Sequence, residues 1–444
     1  MPGTLVVLVG VGDERRAERS TTLSVTAVVG CHWGDEGKGK LIDYLAAGAD
    51  MVIRYNGGAN AGHSIHNQFG DFALHLVPSG IFYPRVTCVV GPGTAVDPGS
   101  LLEELADLQA KGIDTAGLRV SERAHVVMPY HKLIDGLEEA ARGARVQGTT
   151  KRGIGPCYTD KVARIGVRMG DLLDPGFLRD ELPWMIAQKN RVLTRLYDHE
   201  PLDSDALIDQ GREWGERLRD QIIDTAPLVL GALRADQSII LEGQLGVQRD
   251  LDWGIYPYVT SSSAIAGGAA GGAGIPPAAI TNVVGVLKAY TTSVGEGPFP
   301  TELNDPIGDQ LREIGQEFGA STGRPRRCGW FDAVAARFAA ELNGCTAMAL
   351  VKLDPLDLFP VLRVCTAYEL DGQVITHMPT TRALARVRPI LEEWPGWETP
   401  TTGARRFEDL PDAARAYVLR LEELVGVPVR YVGVGAAHEA LIIR

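Results

Sequence analysis

Apolar residues gather in short, nearly unbroken runs at 25–29, 51–55, 86–90, 238–241, 283–287 and 347–353, and elsewhere they recur every three to four positions. The runs predict strands; the longer periodicity predicts helices at 98–111, 178–197, 204–224, 331–342 and 409–425. Strands that are apolar throughout, instead of alternating, are strands covered on both faces. The expected fold is therefore α/β, with a large mostly parallel central sheet flanked by helices. Two stretches break the pattern. At 361–377, two extended runs flank Asp371-Gly372, which is a hairpin signal. The run AIAGGAAGGAGIPPAA at 264–279 has no apolar period, and because strand signals resume at once it reads as an active-site loop instead of a linker.

Composition narrows the function. The chain has 444 residues, 45% of them hydrophobic, enough for one large α/β domain or two to three ordinary ones. A formal charge of −12 argues against coating nucleic acid or an anionic membrane, so any phosphate-binding cations must be locally concentrated. Six cysteines without a CxxC pair suggest neither a zinc cluster nor a disulfide framework, and a reducing cytoplasm fits. No apolar run approaches the roughly 20 residues that span a bilayer. The segment TLVVLVGVG is short, lacks basic residues before it, and runs into DERRAERS instead of a cleavage site. Residues 1–24 read as an extension and 25–444 as a single domain.

Directly after the first strand comes GCHWGDEGKGK, residues 30–40, a glycine- and lysine-rich loop that also carries Asp35 and Glu36. It is not a Walker A loop: aligning the lysine at Lys38 puts His32 at the first glycine position and Gly39 at the hydroxyl position. Its glycines still let backbone N–H groups approach phosphate at a helix start, and Asp35 is the available magnesium carboxylate. Asp35 and Glu36 could equally be acids filling a first helical turn. A second glycine-rich turn, RYNGGANAGH, brings Asn60 and His63, and in a parallel sheet both turns open at the same carboxyl edge. His63 and His66 form an H-x-x-H pair with no third ligand nearby.

WGDEGKGK, RYNGGANAGH, GTTKRGIGPCYTDKVAR, DWGIYPYVTSS, GPFPTEL and EFGASTGRPRRCGWFD occur in this order, and together they resemble adenylosuccinate synthetase from about residue 25 to 444. The resemblance implies a P-loop-like GTP-binding ligase fold that joins L-aspartate to C6 of IMP through a 6-phosphoryl intermediate, giving adenylosuccinate, GDP and phosphate. That chemistry needs a base beside N1, a cation on the phosphates and a donor for the transferring group. The resemblance makes Asp35 the base and a magnesium ligand with the Gly62 carbonyl, His63 the acid, and Lys38 a phosphate cation. It places Gly34, Glu36, Gly37, Gly39, Lys40, Arg326, Lys352, Asp354, Gly433 and Gly435 around GTP. Asn60, Thr150, Arg164, Gln244, Leu245, Thr260 and Arg324 would face IMP, with Arg164 crossing a homodimer interface. Arg152, Ser321, Thr322 and Arg324 would hold aspartate.

Guanine recognition has its own warrant: Lys352-x-Asp354 follows a strand, and a carboxylate accepts from both N1–H and N2–H₂ of guanine, donors that adenine lacks. The pattern also breaks in places. Leu245 stands where a purine-contacting amide is usual, with Gln244 one residue earlier; Pro325 and Ala59 replace an arginine and a histidine; and VGVGAAHE at 432–439 replaces the usual segment beside guanine. Either Gln244 shifts in toward the base, or the base differs from hypoxanthine. Two alternatives to purine synthesis follow: a paralogue aminating a modified purine-like nucleotide in specialised metabolism, and a GTP-binding regulatory protein without turnover.

Overall fold

The computed structural model describes residues 25–60, 62–319 and 323–444; the expected extension at 1–24 and the candidates Ser321 and Thr322 lie outside them. Ten strands form one sheet, in the order Leu441–Ile443, Val429–Gly433, Ala347–Val351, Asn282–Lys288, Val25–Gly30, Ile239–Gly246, Met51–Arg54, Thr87–Val90, Leu118–Ser121 and Ile222–Ile223. Every neighbouring pair is parallel except the two final strands of the chain.

Val25–Gly30 is buried along its whole length. Alternate side chains supply two different cores: Ala27 and Val29 join one with Ile53 and Leu241, while Val28 joins the other with Val52, Val90 and Ile240. This is the period-2 geometry of a strand covered on both faces. The first strand is also the switch point of the sheet, because later strands are added on both sides of it. Ligand crevices form at the carboxyl ends of strands at such a point.

The remaining differences from the expected elements have local causes. The helix expected at 178–197 is two, Pro175–Asp180 and Leu182–Leu196, with Pro183 in the first turn of the second. The helix expected at 204–224 ends at Arg217, and Ile222–Ile223 then adds an edge strand. Asp332 caps the next predicted helix, accepting from Ala335 N at 3.0 Å, so it starts at Ala333. The hairpin at 361–377 forms, with Asp371 and Gly372 both at positive φ.

The segment 264–279 is not an active-site loop. Ala266–Ala273 is a helix packed on the sheet, and a Cβ at Gly272 would lie 2.1 Å from the Tyr55 carbonyl. Its small residues allow close helix–strand approach, which outweighs the poor helix propensity of glycine.

Candidate active site

At the switch point the loops after four strands converge: 30–37, 54–60 with Gly62, the turn beyond Gly246, and the segment following Lys288. A cleft of about 480 Å³ opens there, lined among others by Asp35, Asn60, Gly62, Thr150, Leu245 and Thr260. Residues far apart in sequence, chosen from their motifs, thus share one wall. The Oδ1 of Asn60 is buried and finds no partner among the described residues.

The glycine-rich loop is held from inside. Glu36 is buried and accepts from the backbone N–H groups of His32 at 3.1 Å and Gly34 at 2.9 Å, and from Lys38 Nζ at 2.7 Å. Its carboxylate therefore organises the loop instead of facing the cleft. Lys38 is buried beside it and also donates to the Leu245 carbonyl at 2.8 Å. Asp35 sits at φ 57, in the left-handed region, between Gly34 and Gly37, which are also left-handed. That strained turn separates the two acids: Glu36 points into the loop, and Asp35 reaches the cleft, where it accepts from Arg326 Nε at 2.9 Å.

His63 opens the strand His63–Asn67 and is buried, packed over Gly39, with Nδ1 2.7 Å from Glu242 Oε1. His66 falls on the opposite, exposed face and pairs with Asp71. The two histidines therefore do not converge, and no group of three or more potential metal-ligating side chains occurs among the described residues.

Gln244 and Leu245 divide their roles clearly. Gln244 is fully buried and turned away from the cleft; its amide receives Gly58 N at 2.8 Å and donates to Gly58 O at 3.0 Å. Gly57, at φ 76, makes room for it, since a Cβ there would lie 1.4 Å from Gln244 Oε1. Gln244 thus straps the second glycine turn to the sheet, and Leu245, itself at φ 66, presents the side chain to the cleft. The expectation that Gln244 faces the purine is corrected.

The candidates for guanine gather beyond the loop. Lys40 donates to the carbonyls of Gly435 at 2.6 Å and Ala440 at 2.7 Å, and burial lowers it to about 8 despite the opposing charges of Asp354 and Glu439. Leu353 N donates to Gly433 O at 3.0 Å, bringing the two guanine-side segments together. Burial raises Asp354, whose Oδ1 accepts no hydrogen bond from the described residues. Lys352 donates to the Gly315 carbonyl and lies 3.6 Å from Glu317.

Several functional-looking residues escaped the sequence reading. Glu317 is buried and accepts from Lys288 at 2.7 and 2.8 Å, from the Tyr290 hydroxyl, and from Arg326 at 2.6 Å. Burial pushes its carboxyl up, but Lys288, Lys352 and Arg326 outweigh that and hold it far below the usual range. Arg326 thus links a buried ion cluster to Asp35. On the helix Pro129–Ala141, Asp135 accepts Gly153 N at 2.9 Å and Glu139 accepts the backbone of Gln147, Gly148 and Thr149. Two carboxylates one turn apart therefore shape the loop that carries Thr150 and Arg152. Arg249 lines the cleft and donates to Tyr258 O at 2.6 Å and Ser293 Oγ at 2.8 Å. Arg164 caps the helix Ile154–Ala163 at φ 63 and is exposed; like Arg152 and Arg324, it is not part of the cleft lining.

A glycine-rich loop, a carboxylate in its bend and a buried carboxylate oxygen without a partner among the described residues, all at one edge of a parallel sheet, fit the class of nucleotide-dependent enzymes. A sequence model of adenylosuccinate synthetase matches residues 27–442. Adenylosuccinate synthetase of Heliobacterium modesticaldum is 52% identical over 95% of this chain and 99% of its own length. That of Moorella thermoacetica is 50% identical, with the same coverage of each. The structure of fully ligated adenylosuccinate synthetase from Plasmodium falciparum superposes with a TM-score of 0.89 at 35% identity, covering 95% of this chain and all of that one. The chain belongs to the adenylosuccinate synthetase family, and it is an enzyme, a GTP-dependent ligase.

Proposed function

We propose that the protein joins L-aspartate to C6 of IMP at the expense of GTP, serving purine synthesis in the cytoplasm, with Asp35 as the base and His63 as the acid. The chemical difficulty is the 6-oxo group, a poor leaving group on a stable lactam. Asp35 takes the proton from N1, which pushes charge onto O6. O6 attacks the γ-phosphate of GTP, and His63 donates a hydrogen bond to the transferring phosphoryl group. The aspartate amine then displaces phosphate at C6.

Thr150 and Thr260, on the cleft wall, take the IMP phosphate, and Asn60 supplies a polar contact beside them. Asp354 accepts from guanine, with Lys40, Gly433 and Gly435 at its flank. Arg152, Arg324, Ser321 and Thr322 serve aspartate, and Arg164 reaches IMP in the second subunit of a homodimer. The Asp35 carboxylate and the Gly62 carbonyl line the same cleft, and such a set, few protein oxygens with room for phosphate oxygens and water, suits magnesium. When bound, that ion supplies charge neutralisation on the phosphates.

The observation that carries this reading is the placement of Asp35 on the wall that also holds Asn60, Thr150 and Thr260. The experiment incubates purified protein and its Asp35→Ala variant with IMP, aspartate, GTP and magnesium, and reads product mass. Wild type is expected to yield adenylosuccinate and the variant none while keeping its circular dichroism spectrum. Near-normal turnover in the variant would remove the base assignment. Leu245 favours one competing reading, a modified purine acceptor; replacing IMP by GMP or deoxynucleotides in the same assay decides it.

A further inference from the structure

The strand Ile239–Gly246 lies in the middle of the sheet and is covered on both faces, yet it buries a carboxylate, Glu242, completely. A carboxylate there costs several kcal/mol unless partners compensate it, and the partners it has are specific. Oε2 receives the backbone N–H of Ser79 at 2.8 Å, and Oε1 receives the Ser79 hydroxyl at 3.1 Å and lies 2.7 Å from His63 Nδ1. Arg54 stands in register with Glu242 on the adjacent strand and is equally buried. Its Nη2 donates to Gly58 O at 3.0 Å, while Nε and Nη1 have no hydrogen-bond partner among the described residues. Arg54 therefore supplies positive charge behind the carboxylate without taking over the oxygens that Ser79 and His63 use.

We infer that Glu242 is a positioning residue for His63: clamped by Ser79, it fixes the rotation of the imidazole so that Nε2 is the nitrogen presented to the phosphoryl group, and as an acceptor facing Nδ1 it suits the doubly protonated ring, the form that donates through Nε2. The inference rests on the role given to His63 above. The 2.7 Å approach is an ion-pair contact in which the ring is not aligned for a hydrogen bond; an ionised carboxylate only accepts, so a hydrogen on Nδ1 is what the contact requires, and a small rotation of the ring aims it. An imidazole held at one nitrogen cannot flip about its Cβ–Cγ bond and offer a carbon in place of Nε2. The same carboxylate–histidine logic orients metal-bound histidines, where the partner at the far nitrogen sets ring and tautomer.

Glu242→Gln tests it, because the consequence is chemical and not only electrostatic. The Ser79 backbone N–H claims the amide oxygen, so the amide NH₂ falls opposite Nδ1; a donor there excludes the doubly protonated ring, and the charged donor at Nε2 is lost. Loss of a positioned proton donor costs about 10²–10⁴-fold in rate, and weakening one while the ring remains is expected to cost less, lowering kcat by about 10–100-fold. KM for IMP and GTP should stay within about twofold, because no substrate-binding group is altered. In a His63→Ala background the same substitution should change kcat by less than about twofold, since the carboxylate acts only through the ring. Multiplying losses in the double variant, or near-normal kcat in Glu242→Gln alone, would overturn the inference. Should His63→Ala by itself retain wild-type kcat, the assignment of the acid fails and the inference goes with it; Glu242 is intact in that variant, so the two failures are distinguishable. If Glu242→Gln does not fold, Ser79→Ala removes one clamp bond only. Its smaller kcat loss should likewise vanish when His63 is absent, and a loss that persists there would sink the idea.

Discussion

Replacing Glu317 by glutamine removes the charge at the centre of the buried cluster while keeping its volume. Wild-type Lys288 sets the scale. Burial lowers its ammonium from 10.5 to about 8 even though Glu317 attracts it through both oxygens. Keeping Lys288 charged at pH 7 therefore costs about 3.5 kcal/mol relative to the unfolded chain, at about 1.4 kcal/mol per pH unit. Without the carboxylate that cost cannot grow without bound, because the amine sheds its proton instead, and shedding it at pH 7 costs about 5 kcal/mol. The Lys288 contribution to the damage is thus capped at about 1.5 kcal/mol, less than the 3–5 typical of a stranded buried charge. Arg326 also loses its 2.6 Å bond to Glu317, worth about 1.5–3 kcal/mol for a charged partner.

Together these give about 4 kcal/mol. A chain of 444 residues unfolds with an entropy of about 0.9 kcal/mol/K, so Tm should fall by about 4 °C at pH 7. The pH dependence is the sharper test. A lysine whose folded value lies below its unfolded value binds more protons when unfolded, so stability rises with pH between the two. That rise starts near pH 8 in wild type and at lower pH in the variant. By pH 9 Lys288 is neutral in both folded proteins, and the Tm difference should shrink to about half. Thermal melts followed by circular dichroism at pH 7 and pH 9 read this directly. A difference that is constant or widens on going to pH 9 would refute the reasoning.

Two further substitutions probe substrate recognition. Leu245→Gln puts an amide on the cleft wall and should lower KM for IMP about 5–10-fold, about one neutral hydrogen bond; a rise in KM would show that the apolar wall is the better fit for the base. Asp354→Asn replaces an acceptor by a group that also donates, and KM for GTP should rise about 10–100-fold, as for loss of a hydrogen bond to a charged group. Unchanged initial rates at limiting GTP would remove Asp354 from guanine recognition.

The strands that build the switch point were legible because each is a continuous apolar run buried on both faces, as Val25–Gly30 is. Ile222–Ile223 was not, since two residues carry no period. Ala266–Ala273 misled for a different reason: alanine and glycine alone give no amphipathic stripe, and the helix exists because small residues let it close on Tyr55. In the site, the glycine turns were readable from local composition. Glu242 and Glu317 were not, because what makes each one matter is a partner distant in sequence. A clue was present for Glu242 alone, a carboxylate set among residues that read as buried: in the strand Ile239–Gly246 it follows three apolar residues in a row.

Gln244 and Leu245 show how the backbone decides what a motif means. Matching EGQLG by residue type puts Gln244 on the purine, one place from where the amide is usual. The chain does not slide to accommodate this, because Leu245 takes a left-handed φ of 66 and gives its carbonyl to Lys38. Lys38 is tied in turn to Glu36, which holds the backbone of His32 and Gly34. Moving Gln244 into the cleft would break its strap to Gly58, the Lys38–Leu245 link and, through Glu36, the bend that displays Asp35. The position of the Asp35 carboxylate and the apolar character of the neighbouring wall are thus consequences of one hydrogen-bonded network, and a side chain that restores an amide there has to enter at 245.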